Sequence, residues 1–303
     1  MRVLYGNCDT YGAERSRRLG MLLTLLLGAG SSLCWGTADF FGGLQSRRLP
    51  ALVVAFWSQL AGGLALLLVL LLRREAPVLP SIVWGLGGGI VGALALVLFY
   101  RGLAVGMMSL VAPIAGCGAV VPVLLSIAMG QTPSAIAGAG IVAALAGVAL
   151  VSLHSESSTH TAADARLSLL LALGAALGFG LFFVFMHRGS AFPGASPLWV
   201  VGGARLSSLP LLALLIALGP RAMPWPGHRA GLVAAVGILD TSANALFAFA
   251  STHGNPGVVA VLGSLYPVAT VLLGRIVLAE RLNRIQHAGV VLALAGVVLL
   301  SAG

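Results

Sequence analysis

Long stretches of this chain carry no charged residue, and their lengths limit what the protein can fold into. Uncharged runs cover residues 19–38, 49–72 and 76–100, which are 20, 24 and 25 residues long. A helix needs about 20 apolar residues to cross a bilayer, so each run fits one span. The run 102–155 has 54 uncharged residues and fits two spans, divided at the turn-like sequence Gly130–Pro133. The first half therefore predicts five membrane helices.

The second half has the same organisation. Five apolar stretches follow a polar segment, and the second and third of them contain Arg205 and Asp240; the stretches are 167–187, 197–218, 230–250, 257–278 and 285–302. Barrel strands would alternate over about ten residues, and no such pattern is visible. We expect an all-α integral membrane protein with ten transmembrane helices. The predicted organisation is a cytoplasmic segment at 1–19, a first repeat at 20–153, a linker at 154–166 and a second repeat at 167–303. Because Met21 directly precedes the first span, residues 1–20 are a candidate for a mis-assigned start.

The two halves resemble each other in sequence. Residues 131–152 align with 280–301 at an offset of 149, and Leu33–Gly36 is similar to Leu177–Gly180. The offset places Gly140, Gly147 and Val148 on Gly289, Gly296 and Val297. Glycines seven residues apart share a helix face and allow close helix packing. The GxxxG pairs at residues 85–89 and 88–92 in the third span allow it as well. A repeat of five spans must enter the membrane from the opposite side in its second copy, which predicts two inverted repeats, as in many secondary transporters.

Charge is sparse and argues against nucleic acid as a partner. Charged residues make up 8% of the chain, and all 17 basic residues are arginines spread singly or in pairs. A nucleic-acid protein gathers its basic residues on one face, whereas arginines at loop edges are typical of membrane-surface anchors. With the N-terminus inside, seven arginines lie on the cytoplasmic side and eight outside, which does not fix the orientation. The arginines around the first span favour a cytoplasmic N-terminus.

Charged residues inside the spans are the first candidates for a binding site, because they are rare in membranes and usually face a cavity or a partner. Arg205 lies about 12 Å into its span and Asp240 about 16 Å from the opposite end of the next. We expect an Arg205–Asp240 ion pair, with a structural or a functional role. Asn244 follows Asp240 by one turn and therefore shares its helix face.

Asp39 and Trp35 form a second candidate pair, one turn apart on the first span. A carboxylate at this depth either carries a proton, lies solvated at the cavity mouth, or pairs with Arg47 or Arg48. Gln59 in the second span, Tyr100 in the third and Tyr266 in the ninth complete the expected cavity lining.

Prolines interrupt two corresponding spans, at Pro113 and Pro122 in helix four and at Pro267 in helix nine. Proline frees backbone carbonyls in a membrane helix, and interruptions at matching places in two halves indicate a binding site. A packing kink is the alternative reading of each proline taken singly.

Enzymatic motifs are weak. Ser264 lacks a Gly-x-Ser-x-Gly turn, the His154 and His160 loop is a poor metal site, and no phosphate-binding glycine motif occurs. We therefore expect no catalytic residues, no metal and no cofactor.

Several of these segments resemble the EamA-type members of the drug/metabolite transporter superfamily. The similarity covers about residues 20–302, and its pieces are Cys34–Gly36, Leu103–Pro113, Val258–Val268, Leu278–Leu282, Gln286-x2-Gly289 and Ala295–Val297. The resemblance implies ten helices with both termini cytoplasmic, helices 1–4 and 6–9 around a central cavity, and helices 5 and 10 behind. Gln131 departs from the pattern, since the first half usually has the glutamate that Glu280 supplies in the second.

The resemblance also implies transport of small metabolites, often export. We expect a multi-pass cell-membrane transporter that works by alternating access, with a small-molecule substrate, the lipid bilayer, a coupling proton and a second copy of the chain as partners. An integral-membrane enzyme would instead show a converging catalytic dyad, and a non-transporting sensor would show a sealed bundle.

Overall fold

The computed structural model describes residues 6–46, 48–105, 114–130, 133–151, 162–219, 225–277 and 284–302, and in these ranges all the regular secondary structure is helical. The first half contains α1 (Gly6–Ser46), α2 (Ala51–Arg73), α3 (Leu79–Val105), α4 (Ile114–Ala128) and α5 (Ala135–Val151). The second half contains α6 (Ala162–Ser190), α7 (Pro197–Ala217), α8 (Ala230–Ser251), α9 (Pro256–Gly263), α10 (Tyr266–Val277) and α11 (Arg284–Ala302).

Among the described residues, six helices are long and apolar enough to cross a membrane, and four more apolar helices are shorter. The long segments are Leu19–Ser46, Ala51–Arg73, Leu79–Phe99, Arg166–Ser190, Pro197–Ala217 and Gly227–Ser251; the shorter ones are Ile114–Ala128, Ala135–Leu150, Pro256–Thr270 and His287–Gly296. Leucines such as Leu68, Leu71 and Leu72 are exposed on the outer faces, as expected where lipid is the solvent. The protein is an all-α, multi-pass membrane protein.

Helix packing follows the same plan in both halves. Helix α1 of the first half packs against α8, α9 and α10 of the second. Helix α6 of the second half packs against α3 and α4 of the first. Helix α2 of the first half contacts α7 and α8 of the second. In the same way, its counterpart α7 contacts α2 and α3 of the first half. Helices α5 and α11 pack against each other. Exchanging the two halves therefore reproduces the same contacts.

Glycines at the α5–α11 contact make this reciprocity visible at the residue level. A Cβ added at Gly147 would lie 2.4 Å from the amide nitrogen of Ala293, and one at Gly296 would lie 2.5 Å from that of Ala144. Both pairs are related by the offset of 149 found in the sequence. The predicted close helix contact at these glycines is confirmed.

The predicted ninth span is broken into α9 and α10, with only Ser264 and Leu265 between them and Pro267 in the first turn of α10. A break of this kind leaves backbone carbonyls without their helical partners. The Ser32 hydroxyl on α1 donates to the carbonyls of Leu262 and Gly263, the second at 2.9 Å. The buried Ser32 hydroxyl thus stabilises the interruption.

The corresponding region of the first half is also irregular. Helix α4 passes through a 3₁₀ turn at Cys117–Ala119 before Pro122, which is buried. Gly118 and Gly180 meet here so closely that a Cβ at Gly180 would lie 2.4 Å from the Gly118 carbonyl oxygen. Pro113 lies outside the described residues, so its predicted interruption stays a prediction.

Candidate functional site

A cavity of about 110 Å³ lies between the two halves of the bundle. One buried water needs about 10–15 Å³ of such space, so the cavity has room for several waters or a small solute. Helices α1, α2 and α3 supply one side, and α6, α7, α8 and α10 supply the other. Both repeats therefore contribute to one site.

An ion pair crosses the second-half wall of the cavity. The Arg205 guanidinium donates to the Asp240 carboxylate at 2.5 Å and to the Thr241 hydroxyl at 3.1 Å. The Arg205 side chain is 10% exposed and that of Asp240 is 31% exposed. Asn244 donates to the Asp240 backbone carbonyl at 2.6 Å and to its carboxylate at 3.3 Å. The predicted Arg205–Asp240 pair is confirmed, and Asn244 helps to hold its carboxylate.

Close helix contacts fix the position of this pair. A Cβ at Gly62 on α2 would lie 2.1 Å from the Thr241 hydroxyl, and one at Gly89 on α3 would lie 2.1 Å from the Ala204 carbonyl. The backbones of α2 and α3 thus lie directly against the α8 and α7 residues beside Thr241 and Arg205. Small residues allow this approach, so the charged pair has little room to shift.

Gln59 and Ser208 form the polar contact next to the ion pair. The Ser208 hydroxyl donates to the Gln59 amide oxygen at 2.5 Å, and both side chains are buried. Ser208 lies three residues after Arg205 and so shares its helix face. The bond joins α2 of the first half to α7 of the second across the cavity wall.

Asp39 lines the cavity from α1, one turn beyond Trp35. In the described part of the chain its carboxylate has no hydrogen bond and no ion pair, and it interacts electrostatically with Asp240 and with Tyr266. Arg48 is exposed and does not pair with it, and Arg47 lies outside the described residues. The described lining thus carries two carboxylates and one guanidinium.

Aromatic rings supply much of the apolar lining, and Phe247 packs behind them. Phe183 stacks on Phe247 with ring centroids 4.9 Å apart, and Trp35 lies 5.7 Å from both. Phe179, Phe182 and Tyr266 also line the cavity. The site therefore combines an apolar, aromatic surface with a charged one.

Seven of the eight predicted lining residues meet at this cavity: Trp35, Asp39, Gln59, Arg205, Asp240, Asn244 and Tyr266. Tyr100 lies in α3, but its side chain is outside the described part. Pro122 and Pro267 are buried in α4 and α10 rather than lining the cavity. Gln131, Glu280 and the loop with His154 and His160 lie outside the described residues.

Sequence reasoning missed several lining residues, chiefly Phe99, Phe179, Phe182, Phe183 and Ser208. The sequence contained a signal for one of them. The similarity between Leu33–Gly36 and Leu177–Gly180 makes Phe179 the second-half counterpart of Trp35. The other phenylalanines look like ordinary packing residues in an apolar helix. Within the described ranges no three His, Cys, Asp or Glu residues lie together as metal ligands would.

Apolar helices around an internal cavity with a buried ion pair define a class, the multi-pass α-helical membrane proteins that handle solutes. The sequence profile of the EamA-like transporter family matches residues 22–153 and, a second time, residues 166–302. The chain belongs to the EamA-like transporter family, as its sequence motifs predict. This is a family of membrane transporters rather than of enzymes.

Comparison with solved structures supports the fold. One crystal structure, described only as that of a protein, superposes with a TM-score of 0.75 at 20% sequence identity, covering 91% of this chain and 95% of the other. At that identity the similarity concerns the fold alone. No curated protein sequence matches this chain significantly.

Proposed function

We propose that this protein is a secondary active transporter that exports small organic metabolites by alternating access through the central cavity. One observation carries the proposal: both repeats line one cavity that contains a buried Arg205–Asp240 pair. Charges in membrane spans are costly and typically mark a solute pathway. A sealed bundle would favour a sensor, and the open space between the halves supports transport instead.

The topology that we propose has ten spans in two inverted five-helix repeats, with α9 and α10 forming the ninth span. The reciprocal helix packing and the mirrored Gly147 and Gly296 contacts support this arrangement. Five spans per repeat place the second repeat upside down relative to the first. Ten spans place both termini on the same side of the membrane, and we assign them to the cytoplasmic side of the cell membrane. A second copy of the chain is a further proposed partner, which size-exclusion chromatography would reveal.

The cargo that fits the cavity is moderately apolar and carries a polar or charged group, such as an amino acid or a hydrophobic metabolite. The aromatic wall of Trp35, Phe179 and Phe183 supplies apolar contact. Arg205 lines the cavity beside Asp240, so its guanidinium is a hydrogen-bond donor for a cargo oxygen. This donor provides polar recognition at the charged wall.

Proton coupling is part of the proposal and rests on Asp39. Its carboxylate lines the cavity close to Asp240, and the described lining has one more acidic than basic group. A buried excess charge is unfavourable unless it is neutralised. Uptake of a proton by Asp39 would provide this neutralisation, and its release on the other side would couple transport to the proton gradient.

Purified protein in liposomes tests the function. A panel of amino acids and other organic metabolites is screened for flux with and without an imposed pH gradient. Asn244→Ala removes a cavity side chain, whereas Ser242→Ala changes an exposed position on the same helix. We expect flux of at least one cargo that falls in Asn244→Ala and is unchanged in Ser242→Ala.

Specific binding of a cargo without flux would indicate a sensor instead. Chemical conversion of a panel member would indicate a membrane enzyme. Equal flux in empty liposomes would overturn the proposal.

A further inference from the structure

A second cavity, of about 240 Å³, lies where α4 and α6 end and α9 begins. Its polar lining comes from Ser126, His187 and Arg188, and its apolar lining includes Leu125, Val184 and Phe192. None of these residues lines the central cavity. The bundle thus has a separate pocket near one of its ends.

Arg188 supplies a positive charge that has no acidic partner in the part of the chain that the structure describes. Its guanidinium donates to the Met129 sulfur at 2.9 Å, and it forms no ion pair within the described ranges. A thioether is a weak, neutral acceptor. The other guanidinium donors are therefore available to an anion in the cavity.

His187, the residue before Arg188, has a polar atom whose hydrogen bonding is incomplete. Its Nδ1 atom is buried without a hydrogen-bond partner in the described structure. A buried polar atom in this state is unfavourable unless a ligand or water completes it. Arg188, with His187 and the apolar walls beside it, suits an organic molecule that joins an anionic group to an apolar body.

The two cavities lie along the same helix. Phe182 and Phe183 of α6 line the central cavity, and Val184 and His187 line the second. Phe183 belongs to the stacked aromatic layer with Trp35 and Phe247, and these three rings are at most 9% exposed. On α6 the lining of the central cavity therefore passes to that of the second cavity between the consecutive residues Phe183 and Val184.

We propose that the second cavity is an anion-binding vestibule on the cargo's path, in which Arg188 binds a carboxylate or phosphate of the cargo. The layer of Trp35, Phe183 and Phe247 is the barrier between this vestibule and the central cavity. The inference rests on the proposed transport function, because only a transporter needs a path between the two spaces.

Thiol labelling tests the vestibule without relying on flux. Val184→Cys, in a chain with Cys8, Cys34 and Cys117 replaced by alanine, is labelled with an anionic methanethiosulfonate (sulfonatoethyl) and a cationic one (trimethylammonioethyl). We expect Arg188→Gln to lower the anionic-to-cationic rate ratio about three- to tenfold, the size of one nearby charge. Arg166→Gln, at the other end of α6, should leave the ratio unchanged. Because both reagents react at the same thiol, a shift of packing alone does not mimic the effect.

Protection by defined probes identifies the source of the anion. We expect benzoate, but not benzyl alcohol, to slow labelling of Val184→Cys in detergent, and the protection to be lost in Arg188→Gln. Protection by phosphatidylglycerol nanodiscs alone would assign the site to a lipid headgroup and overturn the proposal. An unchanged rate ratio in Arg188→Gln would also overturn it, as would an unreactive thiol at both Val184→Cys and a second position, Leu125→Cys. These outcomes do not depend on whether the wild-type protein moves a cargo, so failure of the vestibule and failure of the transport proposal are distinguishable.

Discussion

Arg205 on α7 and Asp240 on α8 form an ion pair 2.5 Å long at the wall of the central cavity, and Thr241 and Asn244 hold its two partners. Removal of one partner would leave the other charge buried alone. We expect Arg205→Met and Asp240→Asn each to lower the melting temperature in detergent. The loss is about 3–5 kcal/mol for a fully buried pair, and less here because Asp240 is 31% exposed.

The charge swap Arg205→Asp with Asp240→Arg tests the pairing directly. We expect the double variant to be more stable than either single one, with a coupling energy of about 0.5–3 kcal/mol. Fluorescence-detected size-exclusion after heating provides the measurement. A double variant no better folded than the singles would refute the pairing.

The contact between α2 and α8 leads to a further prediction, because it leaves no room for a side chain at Gly237. A Cβ there would lie 1.7 Å from the Ser58 carbonyl oxygen, whereas one at Gly231, on the same helix, meets no atom within 4 Å. We expect Gly237→Ala to be destabilised by about 1–3 kcal/mol, as in an overpacked core. Gly231→Ala should be neutral or slightly stabilised, since alanine favours helix. Equal melting temperatures for the two variants would contradict the close contact.

The reciprocal contacts of Gly147 and Gly296 predict equal effects of one substitution in two distant parts of the chain. Valine at either position would press on the backbone of the facing helix, at Ala293 or Ala144. Gly147→Val and Gly296→Val should therefore lower the melting temperature by similar amounts. Gly138→Val is the control, because a Cβ at Gly138 meets nothing within 4 Å. A large loss in only one of the two variants would argue against two equivalent repeats.

Asp39 carries the prediction on energy coupling. Asp39→Asn keeps the shape of the side chain and removes its ability to exchange a proton, while Asp39→Glu keeps both the charge and the exchange. In liposomes we expect Asp39→Asn to lose the dependence of flux on the pH gradient and Asp39→Glu to retain part of it. A full response to the gradient in Asp39→Asn would place the coupling elsewhere.

Much of the central site could be predicted because its key residues are exceptions to their surroundings. Arg205, Asp240 and Asn244 stand out in apolar spans, and counting 1.5 Å per residue brings the first two to a similar depth. The contact between Ser208 and Gln59 could not be foreseen, because it depends on which helices are neighbours. The same holds for Phe182 and Phe183, which look alike whether they face lipid, core or cavity.

The fold class and the two-repeat organisation could be predicted from the sequence. The lengths of the helices were predicted less well. Charge-free runs give the maximum length of a span but do not show where the helix ends inside it. Asn255 and Pro256 start α9, and the turn at Ser264 and Leu265 ends it after eight residues. Such ends depend on local hydrogen bonds, including the one from Ser32, that charge spacing does not report.

The α5–α11 contact has a consequence for the kinetics of the proposed transport cycle. Exchange of the two halves converts the Gly147–Ala293 contact into the Gly296–Ala144 contact. The interface therefore stays the same when the two halves are exchanged. If the inward-open and outward-open forms differ by swapping the shapes of the halves, this interface contributes the same free energy to both. Its loosening should change how fast the forms interconvert while the ratio of their populations stays the same.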